Sequence, residues 1–157
     1  MLRNIILFLT AMLVALTAGR AFWVWLGENP ANLSGATYVE FFQALDRSIA
    51  IPIAVTGIGG VVMAGISAIL FRRDHRALYL LLAACAFGLV ATLVTIFVHL
   101  PINGRIATWN PTALPSNYRD FLDRWWEWQR VRLLATFAAM CLVFIAMLIR
   151  RKPSEIS

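Results

Sequence analysis

Charge is the first thing this chain lacks. Only 14% of its 157 residues are Asp, Glu, Lys or Arg, against 61% that are hydrophobic. That is too little polar surface for a soluble globule of this size. Cysteine is nearly absent too. Cys85 and Cys141 stand alone and no Cys-x-x-Cys occurs, so nothing supports a thiol-redox enzyme. The two fall at similar depth in their segments and read as small buried thiols rather than a disulfide. Histidine is limited to His75 and His99. There are no paired Glu-x-x-His motifs for a di-iron bundle and no zinc constellation. The two histidines belong to opposite ends of the apolar segments, so they cannot clamp one haem. A phosphate loop and a dinucleotide fingerprint are also missing. No cofactor is expected from the residues, and a bound metal, haem or quinone stays open.

What is present is apolar length. Four runs, Ile5–Leu26, Ile49–Phe71, Leu78–Leu100 and Leu133–Ile149, each approach the ~20 residues needed to cross ~30 Å of hydrocarbon. The expectation is an all-α membrane protein: one domain over 1–157, a bundle of four transmembrane helices at about 5–26, 49–71, 78–100 and 118–149. Helix 1 is too long for a signal peptide, and Arg20, Phe22, Trp23 and Trp25 stand where small cleavage-site residues belong.

The loops alternate in charge. Arg3 precedes helix 1, Arg72, Arg73 and Arg76 fill the second loop, and Arg150, Arg151 and Lys152 follow helix 4. Lys and Arg favour the cytoplasmic side, which predicts cytoplasmic termini, with the bacterial cytoplasmic membrane as the expected location. The net charge of +6 is split between two faces. It speaks for orientation and contact with membrane lipid rather than for nucleic acid.

Two helical extensions are predicted on the outer face. Tyr38, Phe41, Phe42 and Leu45 recur at helical spacing before helix 2, where Pro52 should kink or restart the chain. Asn103-Gly104 signals a turn after helix 3. Ser116 or Asn117 can then cap a helix that runs unbroken from Tyr118 into helix 4. Gly60, Ala64 and Ala68 fall four apart, as do Ala84 and Gly88. Such stripes let backbones approach in lipid, either within the bundle or in a homo-oligomer.

The polar oddities gather at the outer ends of all four helices: Arg20, Asp46, His99, Gln129, Arg130 and Arg132. Ionisable groups at membrane depth are costly unless paired or wet. Arg20 therefore calls for a carboxylate, with Asp46 or Glu40 in reach. His99 is either a satisfied interfacial residue or a proton acceptor, and Asn103 and Arg105 follow it closely. All six tryptophans map to this end. A belt of interfacial aromatics accounts for some of them. One-sided enrichment, with Trp125, Trp126 and Trp128 near His99 in depth, also suits a cavity for a flat aromatic or quinone-like molecule.

The stretch His99-Leu-Pro-Ile-Asn-Gly-Arg, with Arg124-Trp-Trp-Glu-Trp-Gln-Arg-Val-Arg132 downstream, resembles a family of small four-helix membrane proteins. That domain-of-unknown-function group includes the fungal anthrone oxygenases. His99, Pro101, Asn103, Arg105, Trp126 and Arg130 carry the resemblance. It implies a membrane-embedded oxygenase acting on an anthrone- or quinol-like substrate by proton abstraction and reaction with dioxygen. In that reading His99 is the base, and Arg105, Arg130 and Asn103 stabilise the oxygen. Trp109, Trp125, Trp126, Arg20 and Asp46 hold the substrate. The alternative is a non-catalytic membrane subunit or a lipid- or quinone-binding module.

Overall fold

The computed structural model describes residues 1–149, apart from the side chains at 46, 47, 49 and 50. Arg150, Arg151, Lys152 and the Asp46 carboxylate, all invoked above, therefore lie outside the described residues. The described residues are helical throughout their long segments, with no strand.

Helix α1 spans Leu2–Gly27. It stops where Asn29-Pro30 cannot continue it: the Glu28 amide closes the last turn on the Val24 carbonyl at 2.9 Å, and Asn29 then accepts from the Ala31 amide to start a short 3₁₀ turn, Pro30–Asn32. Helix α2 spans Gly35–Leu70 and is capped by Ser34, whose hydroxyl accepts from the Thr37 amide. It absorbs both the expected extension and the second span. Pro52 lies inside it without ending it, so of the two expected outcomes, a kink or a restart, the restart does not occur. Helix α3, His75–Val94, is capped by Asp74 on the Ala77 amide.

The third span ends differently from expectation. Instead of stopping at Leu100 and turning at Asn103-Gly104, the chain makes a wide π turn over Thr95–His99 and continues as α4, Leu100–Ile106. Pro101 explains this. Its ring would collide with the carbonyl four residues back, and it has no amide to donate. Widening the turn removes the clash, and the Leu100 amide reaches back to Thr95. Helix α5, Tyr118–Leu148, starts at Asn117, whose side chain makes no cap bond.

Four of these helices, α1, the second half of α2, α3 with its extension, and α5, are long and apolar enough to cross a membrane. They form a ring. α1 packs on α2 and α5, and α3 packs on α2 and α5, while the diagonal pairs scarcely meet. The small-residue stripes are used inside this ring. Ala64, Ala68 and Ala84 are fully buried. A Cβ on Gly88 would stand 2.8 Å from Val61 Cγ2, so α2 and α3 touch only because that position has no side chain. Cys85 is half-buried with its thiol directed to the Val61 carbonyl, whereas Cys141 faces outward instead of being a buried thiol.

Two cores fill the ring. Leu7, Ala11, Phe71, Leu81, Val143 and neighbours form one at the end that carries the N-terminus and the α2–α3 turn. There a buried hydroxyl pair, Thr10 and Ser67 at 2.9 Å, ties α1 to α2. Val24, Tyr38, Val39, Phe42, Ile106 and Trp125 form the other, at the end of the two long connections. Gln43 holds that end together by donating to the Ile106 and Trp109 carbonyls, both at 2.9 Å. Between the two cores the ring is not filled.

Candidate functional site

The gap between the cores is a cavity of about 240 Å³. That is close to the ~300–1,000 Å³ of small-molecule sites. It exists because its walls are built from small residues where facing helices would otherwise interdigitate: Ala21 on α1, Gly57, Gly60 and Ala64 on α2, Ala84, Gly88 and Ala91 on α3, and Ala139 on α5. Most of the lining is apolar. The polar exceptions that carry chemistry are Arg20, His99, Asn103 and Arg132.

His99 is the last residue of the π turn, and it is 1% exposed. Its Nε2 lies 3.3 Å from the Trp125 carbonyl. A carbonyl only accepts, so Nε2 must carry the hydrogen and donate it. The lone pair is then on Nδ1, which has no partner among the described residues. The ring also packs on Trp125, centroid to centroid 4.8 Å. Trp125 in turn donates its indole N–H to Asn103 Oδ1 at 2.9 Å. Residues 99, 103 and 125 are thus one unit, in which the tautomer and the ring position of His99 are both set.

The α5 wall follows a strict spacing. Leu122, Trp125, Gln129, Thr136, Ala139, Val143 and Ala146 are buried, and Arg132 falls in the same three–four alternation. These residues share one face. Arg132 therefore lies about 10 Å along the helix from Trp125, deeper in the bundle. No carboxylate among the described residues is within ion-pair distance of it, and its Nε is buried without a partner. The charges of Arg20 and Glu28 both reach it, and its own charge reaches His99. Gln129 donates to the Ala21 carbonyl at 3.0 Å and leaves its Oε1 unpartnered. An unmade hydrogen bond of this kind costs ~1–3 kcal/mol. Two of the three such atoms among the described residues, on His99 and Arg132, belong to residues that line the cavity, and they need a reason beyond packing.

Arg20 corrects an expectation. Among the described residues its partner is Glu28, at 2.6 Å between Nη1 and Oε1, and not Glu40. Glu40 is exposed, and the Asp46 side chain is outside the described residues. Glu28 is the residue that ends α1, where the chain turns and brings its carboxylate back over the last two turns of the same helix. Glu28 is 5% exposed. Nearby Tyr38 is buried, and burial first, then the Glu28 charge, pushes its phenol well up. It stays a protonated donor at any physiological pH.

The remaining expected site residues are elsewhere. Arg105 is exposed, with its guanidinium 4.8 Å over the Phe121 ring, and Trp109 meets the same ring at 5.9 Å. That cluster roofs the connection end and does not line the cavity. Arg130 is exposed and Trp126 is half-buried against the second core. Trp23, Trp25 and Trp128 point outward. So the cavity unites His99, Asn103 and Arg20 and sits against Trp125. Arg132, and not Arg105 or Arg130, is the cation that joins them. Among the described residues, no group of three or more His, Cys, Asp or Glu is placed to hold a metal.

A family model described as anthrone oxygenase matches residues 41–142. The match takes in Gly57, the π turn, Asn103, Trp125 and Arg132, and stops short of Arg20 and Glu28. No curated protein and no solved structure matches the chain.

Proposed function

The chain belongs to the anthrone oxygenase family, and from that premise we propose that its cavity takes a flat, membrane-soluble aromatic of the anthrone or quinol type and oxidises it with dioxygen. The observation that carries this reading is His99 Nδ1, a lone pair with no partner among the described residues at the wall of a largely apolar cavity.

The chemistry needs little from the protein. Nδ1 takes a proton from the activated methylene of an anthrone, and the electron pair spreads through the rings onto the ketone oxygen. Arg132 faces that developing charge, and the Trp125–Asn103 bond keeps the His99 ring in place. The carbanion passes one electron to dioxygen and the two radicals join, forming a carbon–oxygen bond and a peroxide anion. Protonated His99 returns its proton to the peroxide. Loss of the second methylene proton to His99 then breaks the oxygen–oxygen bond and expels hydroxide, which takes that proton. One dioxygen thus replaces two hydrogens by one oxygen and releases one water, and no bound cofactor enters the balance.

Oxygen uptake by the purified protein with anthrone tests this, with the isotope carried by the product as the second readout. Under ¹⁸O₂ the new carbonyl should be labelled before exchange. Absence of uptake, together with saturable binding of the same aromatics, would instead support a non-catalytic quinone- or lipid-binding module.

We also propose that the connection end faces away from the cytoplasm, on the strength of the Arg-rich α2–α3 turn. A cysteine placed at Ala31, in a variant whose own two cysteines are replaced, should react with an impermeant maleimide from outside intact cells. One placed at Arg73 should not. The reverse pattern means the bundle is inverted.

A further inference from the structure

On one side of the cavity, between α2 and the end of α3, residues that line it also form the outer surface of the bundle. On α2 these are Ala54 and Ile58, and Ile58 is 56% exposed. Across from them are Ile96 and Leu100, 45% and 55% exposed. All four lie on helices long and apolar enough to span the membrane, so the medium they meet there is lipid. A side chain that is at once lining and surface means that the wall is one residue thick there.

Both edges of this slot carry a helix irregularity. On α2, Pro52 precedes the slot and removes one backbone hydrogen bond. On the opposite edge the π turn Thr95–His99 widens the helix at Ile96 and ends on His99. Gly57, one turn from Ala54, also lines the cavity, and a Cβ built on it meets nothing within 4 Å. This differs from Gly88, which is glycine so that helices can touch. Helix packing gives no reason for glycine at 57, and a helix interior pays ~0.5–1 kcal/mol for it relative to alanine.

We propose that this slot is a lateral portal through which a flat aromatic dissolved in the bilayer reaches His99, and that Ala54 and Gly57 set the width it admits. The proposal rests on reading the cavity as an aromatic site. It adds that the substrate arrives from lipid and that its size limit is written on α2. Water-filled access from the connection end is blocked by the second core, in which Val24, Tyr38, Val39, Ile106 and Leu122 are almost wholly buried.

The test is the rate of association. In lipid nanodiscs, 9,10-anthraquinone quenches tryptophan, and the Trp125 contribution is the difference between each protein and its Trp125→Phe counterpart. Gly57→Phe points a ring into the slot without a clash at its Cβ, so it should fold. It should slow that phase by about tenfold or more for anthraquinone and much less for nitrobenzene, since a narrowed route acts on the association rate. Gly65→Phe, on the same helix and also meeting nothing at its Cβ but away from the cavity, should associate like wild type. Equal rates for Gly57→Phe and wild type, or equal slowing in Gly65→Phe, would overturn the portal. A wild-type protein with no Trp125 phase at all would overturn the aromatic site and the portal together.

Discussion

Replacing His99 by alanine is expected to lower oxygen uptake with anthrone by ~10²–10⁴-fold, the range for a positioned acid–base group. Two features make His99 the largest single effect. Its hydrogen is committed to the Trp125 carbonyl through Nε2, so the basic lone pair at Nδ1 is the one in the cavity. It is also the only histidine there, as His75 begins α3 at the far end. Alanine deletes a ring packed at 4.8 Å on Trp125, so a loss of activity alone could reflect loose packing. His99→Asn answers this, because its amide N–H can still donate to the Trp125 carbonyl while offering no base. It should be as inactive as His99→Ala, with unfolding in detergent close to wild type. Added imidazole should restore part of the rate to His99→Ala and none to His99→Asn, where the space is filled. Full turnover in His99→Asn would make His99 a structural residue and remove the base from the mechanism.

How far the sequence discloses this site depends on which physical pattern each residue follows. The four spans were legible because hydropathy over some twenty residues overrides local detail, and α5 from Tyr118 was legible because nothing interrupts it. The continuation of the third span was not. Asn103-Gly104 is a turn signal in isolation, but here Gln43 binds the Ile106 carbonyl and Trp125 binds Asn103. Those tertiary bonds hold the segment helical against its local preference. The Arg20 partner was missed for a related reason: Glu28 looks like a loop residue until α1 is seen to run to Gly27 and fold it back. On α5 the cavity follows a different phase from the short motif. Arg130 belongs to the short motif, and it draws the eye. But Trp125, Gln129, Arg132 and Thr136 repeat at the spacing of a buried face, whereas Arg130 stands one residue past Gln129 and about 100° around the helix. That alternation was present in the sequence and would have selected Arg132. The cavity itself could not be read, since small residues at helix contacts and small residues beside a void look alike until the helices are placed.

Arg132→Gln should move activity and stability in opposite directions. Activity should fall by ~10²–10³-fold, the loss on removing one donor aimed at a developing oxyanion. Stability should rise. The guanidinium has no ion-pair partner among the described residues, its Nε is unsatisfied, and the charge of Arg20 bears on it from α1. Insertion measurements put the cost of an arginine at the centre of a membrane helix at roughly 2.5–3.5 kcal/mol. The Glu28 charge offsets part of that here, so a gain of about 1–3 kcal/mol is expected from the substitution. Steady-state oxygen uptake and reversible unfolding in detergent measure the two quantities on one preparation. Arg132→Lys should fall between wild type and Arg132→Gln in activity, since it keeps the charge and loses the planar donors. Arg130→Gln is the internal control: its side chain is exposed, and it should leave activity within a few-fold of wild type and stability within about 0.5 kcal/mol. A loss of stability in Arg132→Gln would mean that Arg132 is held by contacts within the protein. It would then have no charge left over for a substrate, and the oxyanion role would go with it. A gain in stability with undiminished turnover would leave the cavity in place and remove Arg132 from the chemistry. Only the opposed pair of changes fits a residue kept in the bundle at the expense of the resting protein because the reaction needs its charge.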